Sequence, residues 1–247
     1  MPSTVGVEGE RERAGQAGGL DHLSASSISL YLRCPEAWRR KYVCDEPEPV
    51  QPGVLAGIEA HAYLEKVMRA GLVLGVEWRP DEWRYTAPRP EGAVQEAIYH
   101  AVLRTDAWRP LECEAEWSSV RPGGYLLVGR VDAICERDGN PFVLELKTHT
   151  HATPPSRRAL WDRYWLQFAL YSWARGMDHV CALTVSVRSG RLAERWYRVG
   201  QADTAFALRT ADTVWDAVRW GRFEPTARAW VCRTCGYGPT CPHRKEV

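Results

Sequence analysis

The sequence predicts a mixed α/β (α+β) fold, a central mixed sheet flanked by helices. Three observations carry this. Strand-like alternation is confined to the middle of the chain, while helical patterns precede it, interrupt it and follow it. A dense turn signal, Arg137-Asp138-Gly139-Asn140-Pro141, separates two alternating runs, Tyr125–Cys135 and Phe142–Thr148, which marks a strand, a turn and a second strand. Hydrophobic residues make up 45% of the 247, enough to bury a sizeable core.

In chain order, residues 1–22 are rich in Gly, Glu, Arg and Ala without periodicity and read as a disordered tail. Residues 23–247 read as a single domain: a helical N-terminal part (23–110), a core (111–200), and a C-terminal helix with a cysteine-rich segment (201–247). The cluster Ser24-Ala25-Ser26-Ser27 suits a helix start. Pro35 restarts the helix, and the prolines of 45–53 mark a loop. Val54–Ala70 has a helical apolar stripe that includes Ile58 and Ala62. Residues 76–91, dense in Trp, Pro and Arg, resist assignment, and Gly92–Leu103 reads as helix. Strands follow at Glu112–Ser119 and in the two runs above, then a loop with His149 and His151 and a helix at Trp161–Arg175. Val180–Arg188 and Glu194–Val199 form strands about a Ser189-Gly190 turn, and Asp203–Trp220 closes the series as a helix.

A formal net charge of +1 gives no global basic field, so a nucleic-acid surface must be local. Lysine is scarce: Lys41, Lys66, Lys147 and Lys245 are the whole set. With no apolar run of membrane length and no signal-peptide core, the chain is expected to be cytoplasmic. Its eight cysteines are then not expected to form disulfides. Cys44, Cys113, Cys135 and Cys181 look incidental, the last three as small buried apolar residues.

The second strand of the hairpin carries the chemistry. Side chains alternate, so Val143, Glu145 and Lys147 share one face and Leu144 and Leu146 the other. The leucines suit a core, and Asp132 comes from the partner strand. Two carboxylates can hold a hard divalent cation, Mg2+ or Mn2+, through oxygen. Such a cation lowers the pKa of bound water and polarises a phosphoryl oxygen. Lys147 can orient water or neutralise developing charge. The same pattern, taken alone, describes any half-solvated strand.

The C-terminal segment holds Cys232, Cys235 and Cys241 in a C-x2-C-x5-C pattern among glycines and prolines. So short a segment cannot bury much core, and a metal is a natural organiser. Cys232, Cys235, Cys241 and His243 would make a zinc knuckle. The three thiols with a distant fourth, Cys34, would make a [4Fe-4S] site. Spacing leaves both open. Twelve tryptophans accompany four phenylalanines. Most read as core, Trp215 and Trp220 lying on the terminal helix, while Trp78, Trp83 and Trp108, near Arg79, Arg84 and Arg109, are candidates for stacking on unpaired bases.

Together these pieces resemble the RecB-like, iron–sulfur branch of the PD-(D/E)XK nuclease superfamily, as in CRISPR-associated spacer-acquisition exonucleases and the AddB nuclease domain. The likeness runs from about residue 24 to 243, in order: Ser26–Pro35 around Cys34, Gly57-Ile58-Glu59-Ala60-His61, Gly129-Arg130-Val131-Asp132, Glu145-Leu146-Lys147-Thr148, Gln167-Phe168-Ala169-Leu170-Tyr171, and the C-terminal cysteines. The resemblance implies a restriction-endonuclease-like sheet whose N- and C-terminal segments join at a [4Fe-4S] cluster on Cys34, Cys232, Cys235 and Cys241. It implies metal ligation by His61, Asp132, Glu145 and the Leu146 carbonyl, a catalytic Lys147, and Gln167 and Tyr171 lining the site from one helix face. The expected activity is Mg2+- or Mn2+-dependent hydrolysis of DNA, as an exonuclease on single strands or ends, in recombination, replication, phage or CRISPR processing. Expected partners are DNA and a helicase or recombination or CRISPR-adaptation protein, with no membrane. A non-catalytic DNA-binding module of the same fold and a site-specific endonuclease are the alternatives. Two departures stand out: Val131 replaces the proline that names the superfamily, and the chain has no Gly-x4-Gly-Lys-Ser/Thr loop, so any motor is borrowed.

Overall fold

The structure, a computed structural model, describes residues 20–49, 52–74, 79–103, 108–226 and 228–245. The chain divides into two compact units. One is built from the described residues of Met1–Val50, Ser118–Val128 and Ala205–Val247; the other from those of Gln51–Trp117 and Gly129–Thr204.

Six strands form a mixed sheet: β1 (His22–Ser24), β2 (Trp108–Val120), β3 (Leu126–Arg137), β4 (Asn140–His149), β5 (His179–Ser186) and β6 (Leu192–Arg198). Their order is β1-β3-β4-β5-β6, with β2 also paired to β3. β3 contributes to both units, pairing through Leu126–Val128 with β1 and through Ala133–Arg137 with β4. The β3–β4 hairpin turns at Asp138 and Gly139, with φ of 51° and 77°, the double positive φ that matches a tight turn to the strand twist. Pro141, expected in that turn, already lies in β4 opposite Glu136.

In the first unit, α1 (Ala25–Arg33) opens on a capping box in which Ser24 and Ser27 bond each other's backbone N–H. Pro35 occupies the first position of α2 (Pro35–Tyr42). The second unit holds α3 (Pro52–Leu72), α4 (Pro80–Thr86), α5 (Ala93–Leu103) and α6 (Arg157–Arg175). Its main core joins Leu64, Val67 and Met68 of α3, Ile98 and Val102 of α5, and Leu144, Leu146, Leu183 and Val185 of the sheet. α6 starts at the Ser156 cap and stops at Gly176, whose φ of 63° closes the helix. α7 (Gln201–Arg219) begins in the second unit and runs from Ala205 in the first, where the short α8 (Ala229–Arg233) follows.

Several expectations are corrected. β1 begins at His22, inside the stretch read as tail, of which residues 1–19 lie outside the described residues. β2 begins at Trp108, inside the part read as helical. Trp83 and Trp108 are 1% and 0% exposed and belong to the core, because each packs its whole indole among aliphatic or aromatic neighbours; Trp78 lies outside the described residues. Ile58 is exposed rather than part of the buried stripe of α3. Of the incidental cysteines, Cys135 and Cys181 are buried, Cys113 is half-buried and Cys44 is exposed. Among the described residues no helix is long and apolar enough to cross a membrane.

Candidate active site

β4 lies between β3 and β5, so both of its edges are paired, and α3 packs against it. Val143, Leu144 and Leu146 are fully buried, and Glu145 is only 2% exposed. The half-solvated strand is therefore not what forms here. Glu145 and Lys147 are charges taken out of water, and such charges persist only with partners. The Glu145 carboxylate accepts through Oε1 from Lys147 Nζ at 2.7 Å and from Gln167 Nε2 at 2.7 Å. Gln167 Nε2 also donates to the Tyr171 hydroxyl at 3.0 Å. Both come from α6, four residues apart and hence on one helix face.

The hairpin positions the other carboxylate. The β3–β4 ladder runs from Arg137 and Asn140 to Ala133 and Leu144. One residue beyond, Asp132 Oδ2 accepts the Leu146 N–H at 2.7 Å. Its Oδ1 lies 3.1 Å from Nδ1 of His61, brought in by α3. Gly57 lets α3 approach β4 this closely: a Cβ there would sit 3.0 Å from the Thr148 hydroxyl. All six sequence-predicted side chains thus belong to one unit and to one connected set.

Two carboxylates and two basic groups set one another's ionisation here. Burial opposes ionisation of Asp132, but the hydrogen bond and charge of His61 and the charge of Lys147 hold its pKa below the ordinary carboxylate value. Burial, joined by the Asp132 charge, pushes Glu145 up to about 7 against the pull of Lys147. Burial would discharge Lys147; the Glu145 and Asp132 carboxylates outweigh it and raise its pKa, so it stays an ammonium. Burial likewise works against His61⁺, and the bond to Asp132 prevails and raises its pKa. Burial and the Glu145 charge raise the Tyr171 phenol, keeping it protonated.

One observation bears directly on a metal. Glu145 Oε2 is buried and has no hydrogen-bond partner among the described residues. A buried carboxylate oxygen without a donor is what a hard cation would satisfy. Asp132, Glu145 and His61 are suitable donors, but they are not drawn into a ready-made cage: among the described residues no three His, Cys, Asp or Glu side chains stand as one.

Two neighbours escaped the sequence analysis. The Tyr164 ring lies 4.9 Å from Lys147 Nζ, a cation–π contact that holds the ammonium. Its position three residues before Gln167, on the same face of α6, was the available signal. Trp117 sets its edge against Tyr171 at 6.1 Å and covers Gly129, where a Cβ would lie 2.6 Å from the indole. Gly129→Ala is therefore expected to destabilise by about 1–3 kcal/mol, read from the urea midpoint, as Trp117 is displaced.

The four cysteines expected to share a cluster, Cys34, Cys232, Cys235 and Cys241, line one cavity in the other unit with Ala37, Val231 and Tyr237. Exposed His243 lines it too. Among the described residues, however, no three Cys, His, Asp or Glu side chains stand as a ready-made metal cage there either. Burial raises the Cys235 thiol, with the charges of Cys34 and Cys241 adding to it.

The sequence profile of the PD-(D/E)XK nuclease superfamily matches residues 22–242. No match is found among curated proteins. Of 35 matching chains in solved structures, one is the crystal structure of SSO0001. It is 17% identical, with a TM-score of 0.51 over 95% of this chain and 94% of that one, and shows a shared fold.

Proposed function

The chain belongs to the PD-(D/E)XK nuclease superfamily, and from that premise we propose that it is a Mg2+- or Mn2+-dependent deoxyribonuclease acting on single-stranded DNA or DNA ends. The observation that carries this is the buried set of Asp132, Glu145 and Lys147, with Glu145 Oε2 left without a donor. A decayed, purely binding member would have no need to keep two carboxylates and an ammonium out of water. Asp132, Glu145, His61 and the Leu146 carbonyl would hold the cation. When bound, it would screen the phosphate, lower the pKa of water and polarise the phosphoryl oxygen.

The chain's own groups have separable tasks. Lys147, kept protonated, is suited to orient the attacking water and to meet charge developing on the phosphate, not to act as a base. Gln167 fixes the Glu145 carboxylate, and Tyr171 fixes Gln167. In the other unit, the cavity lined by Cys34, Cys232, Cys235 and Cys241 supports a [4Fe-4S] cluster on these four as a structural staple; zinc on Cys232, Cys235, Cys241 and His243 is the chemical alternative. Without a phosphate-binding loop of its own, the enzyme would either act alone or draw a motor from a helicase, recombination or CRISPR-adaptation partner.

The test is single-stranded DNA labelled at either end, incubated with Mg2+, Mn2+ or neither. Progressive metal-dependent shortening from one end is expected, and it also gives the polarity. Discrete internal fragments would replace the exonuclease with an endonuclease. Absence of cleavage on any DNA by folded, metal-replete protein would overturn the proposal.

A further inference from the structure

Tryptophan is seldom left in water, since its ring contributes more than almost any other side chain when buried. Among the described tryptophans only Trp220 and Trp230 are more than half exposed, at 62% and 58%. Trp220 directly follows α7, and Trp230 lies in α8, two residues before Cys232. Sequence analysis placed Trp220 in the core; the buried stripe of α7 is Ala207, Ala211, Val214, Trp215 and Val218, and Trp220, one turn after exposed Asp216, falls on the opposite face.

The charge around them is equally uneven. The whole chain is nearly neutral, yet between Arg219 and Lys245 stand six basic residues and one carboxylate, Glu224. Arg219, Arg222, Arg228, Arg233, Arg244 and Lys245 are all exposed, and none is paired with a carboxylate among the described residues. Elsewhere the common arrangement is pairing, as in Arg39–Glu36, Arg121–Asp212 and Arg130–Glu114. Unpaired arginines interleaved with exposed indoles match a strand of nucleic acid, whose phosphates take the charge and whose unpaired bases take the rings.

We propose that the exposed surface of residues 219–226 and 228–245 binds single-stranded nucleic acid, with Trp220 and Trp230 as stacking platforms and Arg219, Arg222, Arg228 and Arg233 as phosphate contacts. The proposal rests on the nuclease reading above for its substrate, but it concerns the unit that holds the cysteines, not the unit that holds Glu145. Stacking is indifferent to base identity, so binding should tolerate any sequence and should fall steeply with salt. A duplex buries its base faces and offers only phosphates, so its binding should depend on the arginines and not on the tryptophans.

The test measures binding, not cleavage. A fluorescein-labelled oligothymidylate is titrated without added Mg2+ or Mn2+ in a Glu145→Gln background, and anisotropy is followed. Each lost stack should weaken binding roughly 5- to 150-fold, so Trp220→Ala/Trp230→Ala, which loses two, should weaken it at least about 25-fold on single strands and little on duplex. Arg228→Gln/Arg233→Gln should lower the salt slope of log K by about 1.4, at roughly 0.7 per contact on a single strand. The thermal midpoint and metal content of each variant verify folding; should the tryptophan pair fail to fold, the arginine pair and quenching of wild-type tryptophan fluorescence still decide. Unchanged affinity and unchanged salt slope would overturn the proposal and assign the surface to a protein partner. If those variants lose binding while the wild type cleaves nothing, the surface stands and the nuclease reading falls. If the wild type cleaves DNA and they bind normally, the surface falls and the nuclease stands.

Discussion

Glu145→Gln is expected to lower metal-dependent cleavage on the order of 10³-fold or more while leaving the fold intact. The amide keeps the shape of the carboxylate and can still accept from Lys147 and Gln167. It removes the negative charge, and it sets a donor where Oε2 now faces no donor. Lys147→Ala should be as inactive but not as benign. It leaves Glu145, 2% exposed, without its cation, and breaking a buried pair commonly costs about 3–5 kcal/mol. Glu145 can escape part of this by taking up a proton. In the folded protein its pKa stands at about 7, above the ordinary 4.5, so without divalent metal the folded state binds the extra proton and stability falls as pH rises between those values. Removing Lys147 raises that folded pKa further, so the deficit of Lys147→Ala relative to wild type should keep growing above pH 7 and shrink towards pH 5. Urea midpoints in chelator across that range would show it; a deficit independent of pH would mean that Glu145 is not the group left stranded. Full cleavage by Glu145→Gln would remove Glu145 from the site.

The hairpin that carries these groups was legible because its signals are local. Asp138-Gly139 specifies the turn, and alternation specifies which residues share a face. What alternation does not encode is the number of sheets and helices that cover each face. Val143-Leu144-Glu145-Leu146-Lys147 has the same pattern whether or not a helix covers it, and it is Tyr164 and Gln167 of α6, packed against Lys147 and Glu145, that make its charges buried ones. The tryptophans fail for a related reason. Trp83 and Trp108 stand beside arginines in an irregular stretch, which resembles a binding surface, yet Trp83 donates its indole N–H to the Val67 carbonyl inside the core. Trp220 looked like a core residue because it follows Trp215 on one helix, yet it lies a turn after exposed Asp216, on the face away from the buried stripe. α4, at seven residues, is too short for periodicity to reveal, and its Trp83 anchors it by a tertiary contact.

If the proposed [4Fe-4S] cluster holds, Cys34→Ser is expected to remove most of its iron and to lower the melting temperature, whereas Cys44→Ser should change neither. Cys34 sits between α1 and α2, and Cys232, Cys235 and Cys241 stand near the opposite end of the chain, yet all four line one cavity. A metal or cluster bound there would contribute its binding free energy to folding, because the unfolded chain cannot keep such distant thiols together. Part of the closure is already present without it. Arg40 of α2 donates to the Tyr237 carbonyl at 3.4 Å and to Thr240 Oγ1 at 2.7 Å, its guanidinium lies 4.9 Å from the Tyr237 ring centre, and the Tyr237 hydroxyl donates to the Glu46 carbonyl at 2.9 Å. This strap should hold the segment near α2 after the ligand is lost, so the variant should remain foldable but weaker. A deficit of about 3 kcal/mol would lower Tm by roughly 6–12 °C for a chain of this size. Exposed Cys44 accepts only from Arg39 at 3.1 Å and has no part in the cavity. The two metal sets separate cleanly. With four thiolates, Cys34→Ser loses metal and His243→Gln keeps it, and the metal is iron. With a zinc knuckle the pattern reverses: Cys34→Ser keeps its zinc and His243→Gln loses it. Metal analysis of the two variants, purified without oxygen, therefore decides which residues hold the ends of this chain together.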